Sequence, residues 1–405
     1  MLPFLRLIRL PNLLIMAFTQ YMIRWCVFLP LHQVMKHNIG LGLFDPKVMP
    51  ELDFFLLVLS TMLIGAAGYI INDYFDVRID EVNRPATNLV GKTIKRRVAI
   101  VLHTSFNVIG VLLGAWLSWK YGIFRIGALI YISAPALLWF YSTTLKRQAL
   151  VGNLVIALLS GLVPLVAALF EKQHIVNYLK DPLNDFPVTF LNASSNSIML
   201  EMRVSLLVGL FAFLVSLLRE IIKDTEDYEG DLEYGCKTLP INIGIARTKW
   251  IMAGICAVVV LALGWIEVDQ QIGNKVTVPV YVKQDTPGIP VVLIETGSNE
   301  RHSAVTGPDG TANFHLAGGH TYRAEIEGLQ PVEIKAPEAE KDWKSFLYFL
   351  VLLQLPLLYL AYRINTAKGK SDWRFCSLFV KIVMVAGICY LFLYTYDLRS
   401  LANVM

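Results

Sequence analysis

The chain reads Asn72-Asp73-Tyr74-Phe75-Asp76-Val77-Arg78-Ile79-Asp80 where an uncharged apolar run, Phe54 to Ile71, comes to an end. If this stretch is helical, Asn72, Asp76 and Asp80 are spaced i, i+4 and i+8 and lie on one face. Oxygen-bearing side chains at the end of a membrane helix are costly unless a cation meets them. Mg²⁺ binds carboxylate oxygens and keeps coordination positions open for phosphate. The spacing therefore predicts a magnesium site.

A second acidic stretch, Arg219-Glu220-Ile221-Ile222-Lys223-Asp224-Thr225-Glu226-Asp227-Tyr228-Glu229-Gly230-Asp231, follows another apolar run. Its residues Asp224, Asp227 and Asp231 are spaced i, i+3 and i+7 and also share a helical face. A solvated helix end would explain either acidic stretch alone. Two of them in matching positions favour a shared site that holds a diphosphate through metal ions.

The composition indicates a membrane protein that crosses the bilayer several times. Of the 405 residues, 55% are hydrophobic and only 17% are charged, and the mean hydropathy is +0.53; both are outside the usual range for a soluble chain of this size. The net charge of +4 does not suggest a nucleic-acid partner. The 5 cysteines form no CxxC or Cys/His ligand spacing, so neither a disulfide framework nor a zinc site is expected.

Apolar segments long enough to cross a bilayer, which takes roughly 17–25 residues, recur along the whole chain. We predict about nine spans, near residues 11–31, 54–75, 98–119, 123–142, 150–170, 203–222, 249–266, 344–362 and 374–396. The first of them follows Arg6 and Arg9 and is read as a helix rather than a signal peptide, because no small-residue cleavage site follows it.

The distribution of lysine and arginine predicts the orientation in the cell membrane. With a cytoplasmic N-terminus, the inner loops receive most of the positive residues, including the basic run Lys92–Arg97, and the outer loops receive few. The same orientation puts both acidic stretches on the cytoplasmic side.

One polar segment, residues 267–342, interrupts the apolar pattern. It alternates like β-strands at 277–283 and 290–295 and carries turn signals at 308–310 and 318–319. We predict a small inserted β-sandwich on the extracytoplasmic side, between the membrane-domain segments 1–266 and 343–405. Its residues 306–314 resemble carboxypeptidase-regulatory-like modules. Its histidines His302, His315 and His320 are interpreted as solvated surface residues, because no carboxylate is spaced to complete a metal site with them.

Basic side chains lie where a diphosphate bound between the two acidic stretches would need further neutralisation. Arg forms bidentate contacts with phosphate, and Lys supplies a compact charge. The candidates are Arg9, Arg78, Lys146, Arg219 and Lys223. Each of them alone is better explained as an interfacial anchor, but as a group around a paired acidic site they are predicted phosphate ligands.

These motifs together resemble the UbiA superfamily of intramembrane prenyltransferases. The first signature is Asn72-Asp-x-x-Asp76-x-x-x-Asp80 followed by Asn83-Arg84-Pro85, and the second is Lys223-Asp224-x-x-Asp227-x-x-Gly230-Asp231 followed by Lys237-Thr238-Leu239-Pro240. The pair Tyr141-Ser142 with Lys146, and the entry Arg9-x-x-Asn12 of the first helix, are similar to further elements of the family. The inserted β-sandwich lies outside the family pattern.

The resemblance implies an all-α bundle of nine transmembrane helices around a central cavity, and transfer of a prenyl group from a prenyl diphosphate donor. It implies Mg²⁺ ligands among Asn72, Asp76, Asp224, Asp227 and Asp231. The predicted catalytic residues are Asp76, Asp80, Asp227 and Asp231. The predicted ligands of the substrate phosphates are Arg9, Arg78, Tyr141, Ser142, Lys146, Arg219 and Lys223.

The acceptor has more than one interpretation. The second signature most resembles members that transfer a geranylgeranyl group to geranylgeranylglyceryl phosphate in ether-lipid biosynthesis, and the basic run Lys92–Arg97 is either an acceptor-phosphate site or a membrane anchor. An aromatic acceptor, such as 4-hydroxybenzoate or a quinone precursor, is the alternative. A cation or lipid transporter is a third interpretation, because intramembrane acidic residues also mark transport sites. Donor length and oligomeric state do not follow from the sequence.

Overall fold

The computed structural model describes residues 2–30, 48–83, 89–180, 188–272, 275–282, 288–307, 310–326, 330–336 and 343–404. The chain divides into two compact units. The first comprises Met1–Val260 and Tyr348–Met405, and the second comprises Leu261–Leu347.

Among the described residues of the first unit, the regular structure is helical apart from an isolated β-bridge between Val90 and Ile94. Two short π-helical turns, Arg24–Phe28 and Phe349–Gln354, and a 3₁₀ turn, Leu145–Arg147, interrupt or join the α-helices. The helices in chain order are α1 Leu2–Leu7, α2 Leu10–Ile23, α3 Glu51–Phe75, α4 Val77–Asn83, α5 Arg96–Lys120, α6 Phe124–Thr143, α7 Val151–Leu179, α8 Val188–Glu226, α9 Tyr228–Glu233, α10 Leu239–Ile243, α11 Ile245–Ile272, α12 Trp343–Tyr348, α13 Leu355–Thr366 and α14 Lys370–Val404.

Eight helical segments among the described residues are long and apolar enough to cross a membrane. They are Glu51–Phe75, Arg96–Lys120, Phe124–Thr143, Val151–Leu179, Ile198–Glu226, Ile245–Val268, Trp343–Thr366 and Lys370–Tyr396. The first predicted span, 11–31, corresponds to α2 and the π-helical turn that continues it to Phe28. The prediction of a helical protein that crosses the membrane several times is confirmed; the described residues contain eight spans of full length, and the end of the first predicted span lies outside them.

The predicted spans 98–119 and 123–142 are two separate helices, α5 and α6. The chain reverses between them at Gly122, whose φ of 74° lies in the left-handed region that glycine adopts without steric cost. The Tyr121 and Ile123 side chains on either side of the turn are buried in the main core of the bundle.

Small residues let helices α7 and α8 approach each other closely. A methyl group added to Gly161 would lie 2.9 Å from the carbonyl oxygen of Gly209, and one added to Gly209 would lie 2.9 Å from the carbonyl oxygen of Gly161. Such small-residue contacts are a usual basis of helix packing in membranes, where lipid supplies no hydrophobic driving force between helices. The close approach fixes the position of α8, which ends in the second acidic stretch.

The second unit contains six antiparallel strands around its own apolar core. They are β1 Lys275–Tyr281, β2 Pro290–Glu295, β3 Arg301–Val305, β4 Thr311–Ala317, β5 Thr321–Ile326 and β6 Val332–Lys335. One sheet pairs β1 with β4, and the other has the order β3-β2-β5-β6. Val280, Leu293, Phe314 and Tyr322 from both sheets meet in one buried cluster. The small antiparallel sheet domain predicted from period-2 alternation is confirmed.

Parts of the prediction for this unit fall outside the described residues. The turn residues Pro308 and Asp309 and the side chain of His315 are among them. Of the other two histidines, His320 forms an ion pair with Glu295, and His302 packs edge-on against Tyr322.

Candidate functional site

Both acidic stretches occupy the same local structure, a bend between a long membrane helix and a short one. Asp76 lies between α3 and α4 with φ −87° and ψ 0°, and Asp227 lies between α8 and α9 with φ −92° and ψ 10°. Helical hydrogen bonding continues through the first bend, because the Asp76 amide donates to the Asn72 carbonyl (3.0 Å) and the Asp80 amide donates to the Asp76 carbonyl (2.8 Å). The spacing expected of one helix therefore survives the bend.

The short helices α4 and α9 pack against each other and bring the two bends together. The Gly230 amide donates a hydrogen bond to Oδ1 of the buried Asn83 at 3.1 Å. A methyl group on Gly230 would lie 2.5–2.6 Å from the side-chain atoms of Asn83, so only glycine permits this contact. Lys370, in the first turn of α14, donates to the Asn83 carbonyl at 2.9 Å. The asparagine and the glycine of the two signatures are thus a direct structural link between them.

Lys146 contacts the first acidic stretch from the 3₁₀ turn that follows α6. Its Nζ donates to Asp76 Oδ1 and lies 3.5 Å from Asn72 Oδ1. Burial lowers the pKa of Lys146 despite the attraction of Asp76. The ammonium group is thus held against the two residues that the sequence predicts as ligands of a metal ion.

In the second acidic stretch, a neutral amide contacts one of the predicted metal ligands. Asp224 Oδ2 accepts a hydrogen bond from Nδ2 of Asn153 in α7 at 2.8 Å. Burial, together with the neighbouring charge of Asp227, raises the pKa of Asp231 to about 7. The fold therefore holds Asp231 where its ionised form is disfavoured, and a divalent cation bound beside it would favour that form.

The chemistry of these donors fits Mg²⁺, which prefers carboxylate and amide oxygens. Within the described ranges, no three His, Cys, Asp or Glu side chains are grouped closely enough to hold a metal ion without rearrangement. Asn72 and Asp76 would hold the ion at the first bend, and the Lys146 ammonium beside them would neutralise charge on a phosphate oxygen.

A cavity of about 230 Å³ opens among α2, α3, α6, α7, α8 and α14. Most of its lining is apolar, including Ile15, Ile64, Ile130, Val166 and Ile388. Its polar lining residues cluster near the two bends and include Arg9, Asn72, Tyr141, Arg219, Glu220, Lys223 and Lys381. The cavity therefore combines an apolar channel with a cationic end beside the acidic residues.

Two of the cations at this end are paired with carboxylates. Arg9 Nη2 lies 2.7 Å from Asp73 Oδ1, and its guanidinium sits 5.0 Å from the centre of the Tyr69 ring. Arg219 Nη1 lies 2.6 Å from Glu220 Oε1. These pairs fix the guanidinium groups at the cavity wall.

Several predicted site residues are not among those that line the cavity, including Asp76, Lys146, Asp224, Asp227 and Asp231 at the bends. Arg78 is exposed on α4, and Asp80 lies on the same short helix outside the cavity lining. Ser142 is buried, and its hydroxyl donates to the Leu138 carbonyl at 2.9 Å, whereas the adjacent Tyr141 does line the cavity. The roles predicted for these residues stay predictions. The basic run Lys92–Arg97 is largely exposed and contributes nothing to the cavity lining.

Sequence reasoning missed four residues of the site: Asp73, Asn153, Glu220 and Lys381. Asp73 and Asn153 carry no signal of their own in the sequence, because their partners Arg9 and Asp224 are distant in the chain. Glu220 pairs with the adjacent Arg219. Lys381 did carry a signal, since it is the only charged residue between Phe375 and Tyr396. A single charge inside a membrane span is a functional-site hypothesis by default.

A helical membrane bundle with an apolar cavity beside two paired acidic bends is the architecture expected of an intramembrane prenyltransferase. The sequence model of the UbiA prenyltransferase family matches residues 39–277, and the chain belongs to this family. The resemblance inferred from the two signatures is confirmed, and so is the prediction of an enzyme that transfers prenyl groups.

Relatives of this chain include two archaeal digeranylgeranylglyceryl phosphate synthases. The Thermococcus sibiricus protein is 32% identical over 227 residues, which are 56% of this chain and 67% of that protein. The Methanothermobacter thermautotrophicus protein is 33% identical over 203 residues, 50% of this chain and 60% of that protein. Among solved structures, an apo UbiA homologue from Aeropyrum pernix K1 superimposes with a TM-score of 0.49 at 13% identity, covering 90% of this chain and 98% of that one.

Proposed function

We propose that this chain transfers a polyprenyl group, in the presence of Mg²⁺, from a prenyl diphosphate to the hydroxyl of a glyceryl phosphate lipid in ether-lipid biosynthesis. The observation that carries the proposal is the cavity, whose apolar wall continues into a cationic end beside two acidic bends. Two relatives that share about a third of their aligned residues with this chain are named for a product of this kind.

The apolar wall would hold the prenyl chain, and the bends would hold its diphosphate. The Mg²⁺ ligands would come from Asn72, Asp76, Asp224, Asp227 and Asp231. When bound, Mg²⁺ would supply Lewis-acid stabilisation of the diphosphate leaving group. Lys146 and Lys223 would neutralise the remaining phosphate charge as it develops.

The reaction replaces one C–O bond with another. The bond between the allylic carbon and the diphosphate breaks, and its electron pair leaves with the diphosphate. The acceptor's hydroxyl oxygen then bonds to that carbon and releases its proton. The π face of Tyr141, at the cationic end of the cavity, would face the allylic carbon and stabilise its positive charge.

The membrane orientation is also part of the proposal. The excess of Lys and Arg in alternate loops supports a cytoplasmic N-terminus, cytoplasmic acidic bends and an extracytoplasmic β domain, predicted at 267–342 between membrane segments 1–266 and 343–405. A phosphorylated acceptor and a diphosphate donor made in the cytoplasm would then enter from the same side.

A transfer assay with two acceptors tests the proposal. Purified protein in detergent with Mg²⁺ receives labelled geranylgeranyl diphosphate, with either geranylgeranylglyceryl phosphate or 4-hydroxybenzoate. We expect product on the phosphate acceptor alone and none when Mg²⁺ is chelated. Product on the aromatic acceptor alone would contradict the proposed glyceryl phosphate acceptor. No product with either acceptor would contradict the whole proposal.

A further inference from the structure

Lys381 places a charge inside the last membrane helix and at the wall of the cavity. It lies in α14, and every other residue from Phe375 to Tyr396 is uncharged. Its side chain lines the cationic end of the cavity, although it is far along the chain from both acidic bends. A lysine at such depth is costly unless it meets an anion or a water-filled space.

The bonding of Lys381 differs from that of the two arginines beside it. Arg9 and Arg219 each pair with a carboxylate, Asp73 and Glu220. Lys381 Nζ instead contacts a neutral group, Oδ1 of Asn12, at 3.2 Å. In the described part of the chain no carboxylate forms an ion pair with it. Glu220, the carboxylate that attracts the Lys381 ammonium, is itself paired with Arg219, so the charge of Lys381 is available to an anionic ligand.

A short chain of contacts holds this ammonium group in place. Asn12 accepts from Lys381 and donates from Nδ2 to the Tyr69 hydroxyl at 3.3 Å. The Tyr69 ring carries the Arg9 guanidinium on its face. Lys381 is thus linked to α2 through Asn12 and to α3 through Tyr69. These contacts hold its ammonium group in a fixed position at the cavity wall before a ligand binds.

Lys381 contacts a different part of the site from the lysines assigned above to the diphosphate. Lys146 contacts Asp76 at the first bend, and Lys223 directly precedes Asp224 in the second acidic stretch. Lys381 shares no hydrogen bond or ion pair with Asp76 or Asp224, and its contact is with the first helix instead. A second anion, separate from the diphosphate, would satisfy it.

We propose that Lys381 binds the phosphate of the acceptor lipid and thereby selects phosphorylated acceptors, an inference that rests on the proposed function above. In a glyceryl phosphate lipid the reacting hydroxyl is only one or two carbons from the carbon that bears the phosphate. The acceptor phosphate must therefore bind near the reacting carbon, inside the same cavity. Lys381 meets this condition, and the exposed basic run Lys92–Arg97 does not.

Two substitutions separate charge from volume. Lys381→Met removes the charge at similar length, and Lys381→Arg retains it. We expect Lys381→Met to raise the KM for the phosphate acceptor roughly ten- to hundredfold, as for a lost charge-assisted hydrogen bond, while the KM for the donor changes by less than about twofold. Lys381→Arg should recover most of the loss. Relative to wild type, Lys381→Met should be unimpaired with geranylgeranylglycerol, which lacks the phosphate.

Lys249→Met is the matched control, because Lys249 also lies in a membrane helix but donates to the carbonyls of Asn365 and Ala367, away from the cavity. It should leave both KM values unchanged. An equal rise in donor and acceptor KM for Lys381→Met would assign Lys381 to the diphosphate site and overturn the inference. Unchanged KM values in an active protein would also overturn it. If wild-type protein transfers only to an aromatic acceptor, the proposed function itself fails, which is a different result.

Discussion

Replacing Asp76 with asparagine is expected to reduce kcat for prenyl transfer by on the order of a thousandfold, the effect of removing a main source of transition-state charge stabilisation. Asp76 lies at the bend between α3 and α4 and is the carboxylate that Lys146 contacts. Asparagine keeps the shape and one oxygen but loses the negative charge that would attract Mg²⁺. Asp227→Asn, at the equivalent bend between α8 and α9, should have an effect of the same order.

The measurement is single-turnover transfer at saturating donor and Mg²⁺, with thermal unfolding to show that each variant is folded. Glu81→Gln is the matched control for the first bend and Glu229→Gln for the second, because both residues are exposed on the short helices that follow. Neither control should change kcat. If Asp76→Asn and Asp227→Asn retain the wild-type kcat, the acidic bends take no part in the chemistry.

The largest expected effect on stability comes from a buried ion pair at a different part of the bundle. Arg24 is 1% exposed and Glu171 is 0% exposed, with Nη1 and Oε1 at 2.7 Å. Arg24 also donates to the Met49 carbonyl (2.6 Å) and to Glu51 (2.9 Å), while the Met49 amide donates to Glu171 (2.8 Å). Arg24→Met should lower the free energy of unfolding by about 3–5 kcal/mol, because it leaves Glu171 buried without its cation.

Unfolding in mixed micelles, followed by tryptophan fluorescence, measures this effect. The double variant Arg24→Met/Glu171→Met should recover much of the lost stability, since both charges are then removed. Arg363→Met is the control: its partner Asp372 is 3.5 Å away, both side chains are about a third exposed, and surface pairs contribute only about 0–1 kcal/mol. A loss for Arg24→Met no greater than that of the control would contradict the assignment.

Local features of the sequence predicted most of the architecture. Membrane helices are defined by hydropathy along consecutive residues, so five of the predicted spans lie within single helices, and 123–142 and 150–170 begin only one residue before α6 and α7. The span 344–362 crosses only the π-helical turn Phe349–Gln354. The spacing of Asn72, Asp76 and Asp80 was sufficient to predict helical structure through this stretch, because helical hydrogen bonding continues across the bend. The β domain could also be predicted, because the side chains of a strand such as β2 alternate between two faces and leave a period of two in the sequence.

The remainder of the site depends on contacts that neighbouring residues do not encode. Asn153 meets Asp224 across 71 positions, and Lys381 meets Asn12 across 369; both contacts arise only when helices pack. The sequence likewise did not show how α6 is rotated about its axis. In the structure, Tyr141 lines the cavity and Ser142 is buried. Exposure of Arg78 follows from the packing of α4 against α9, which the first signature alone does not specify.

The most direct test of the central claim, that the two acidic bends form one site, is titration with an unreactive donor. Binding of geranylgeranyl thiolodiphosphate to purified protein is measured calorimetrically with and without Mg²⁺, for wild type, Asp76→Asn, Asp227→Asn and the double variant. We predict binding only with Mg²⁺, and a loss in the double variant no larger than that in either single variant, because residues of one site act as a unit. Binding independent of Mg²⁺, or losses that add, would contradict a shared site.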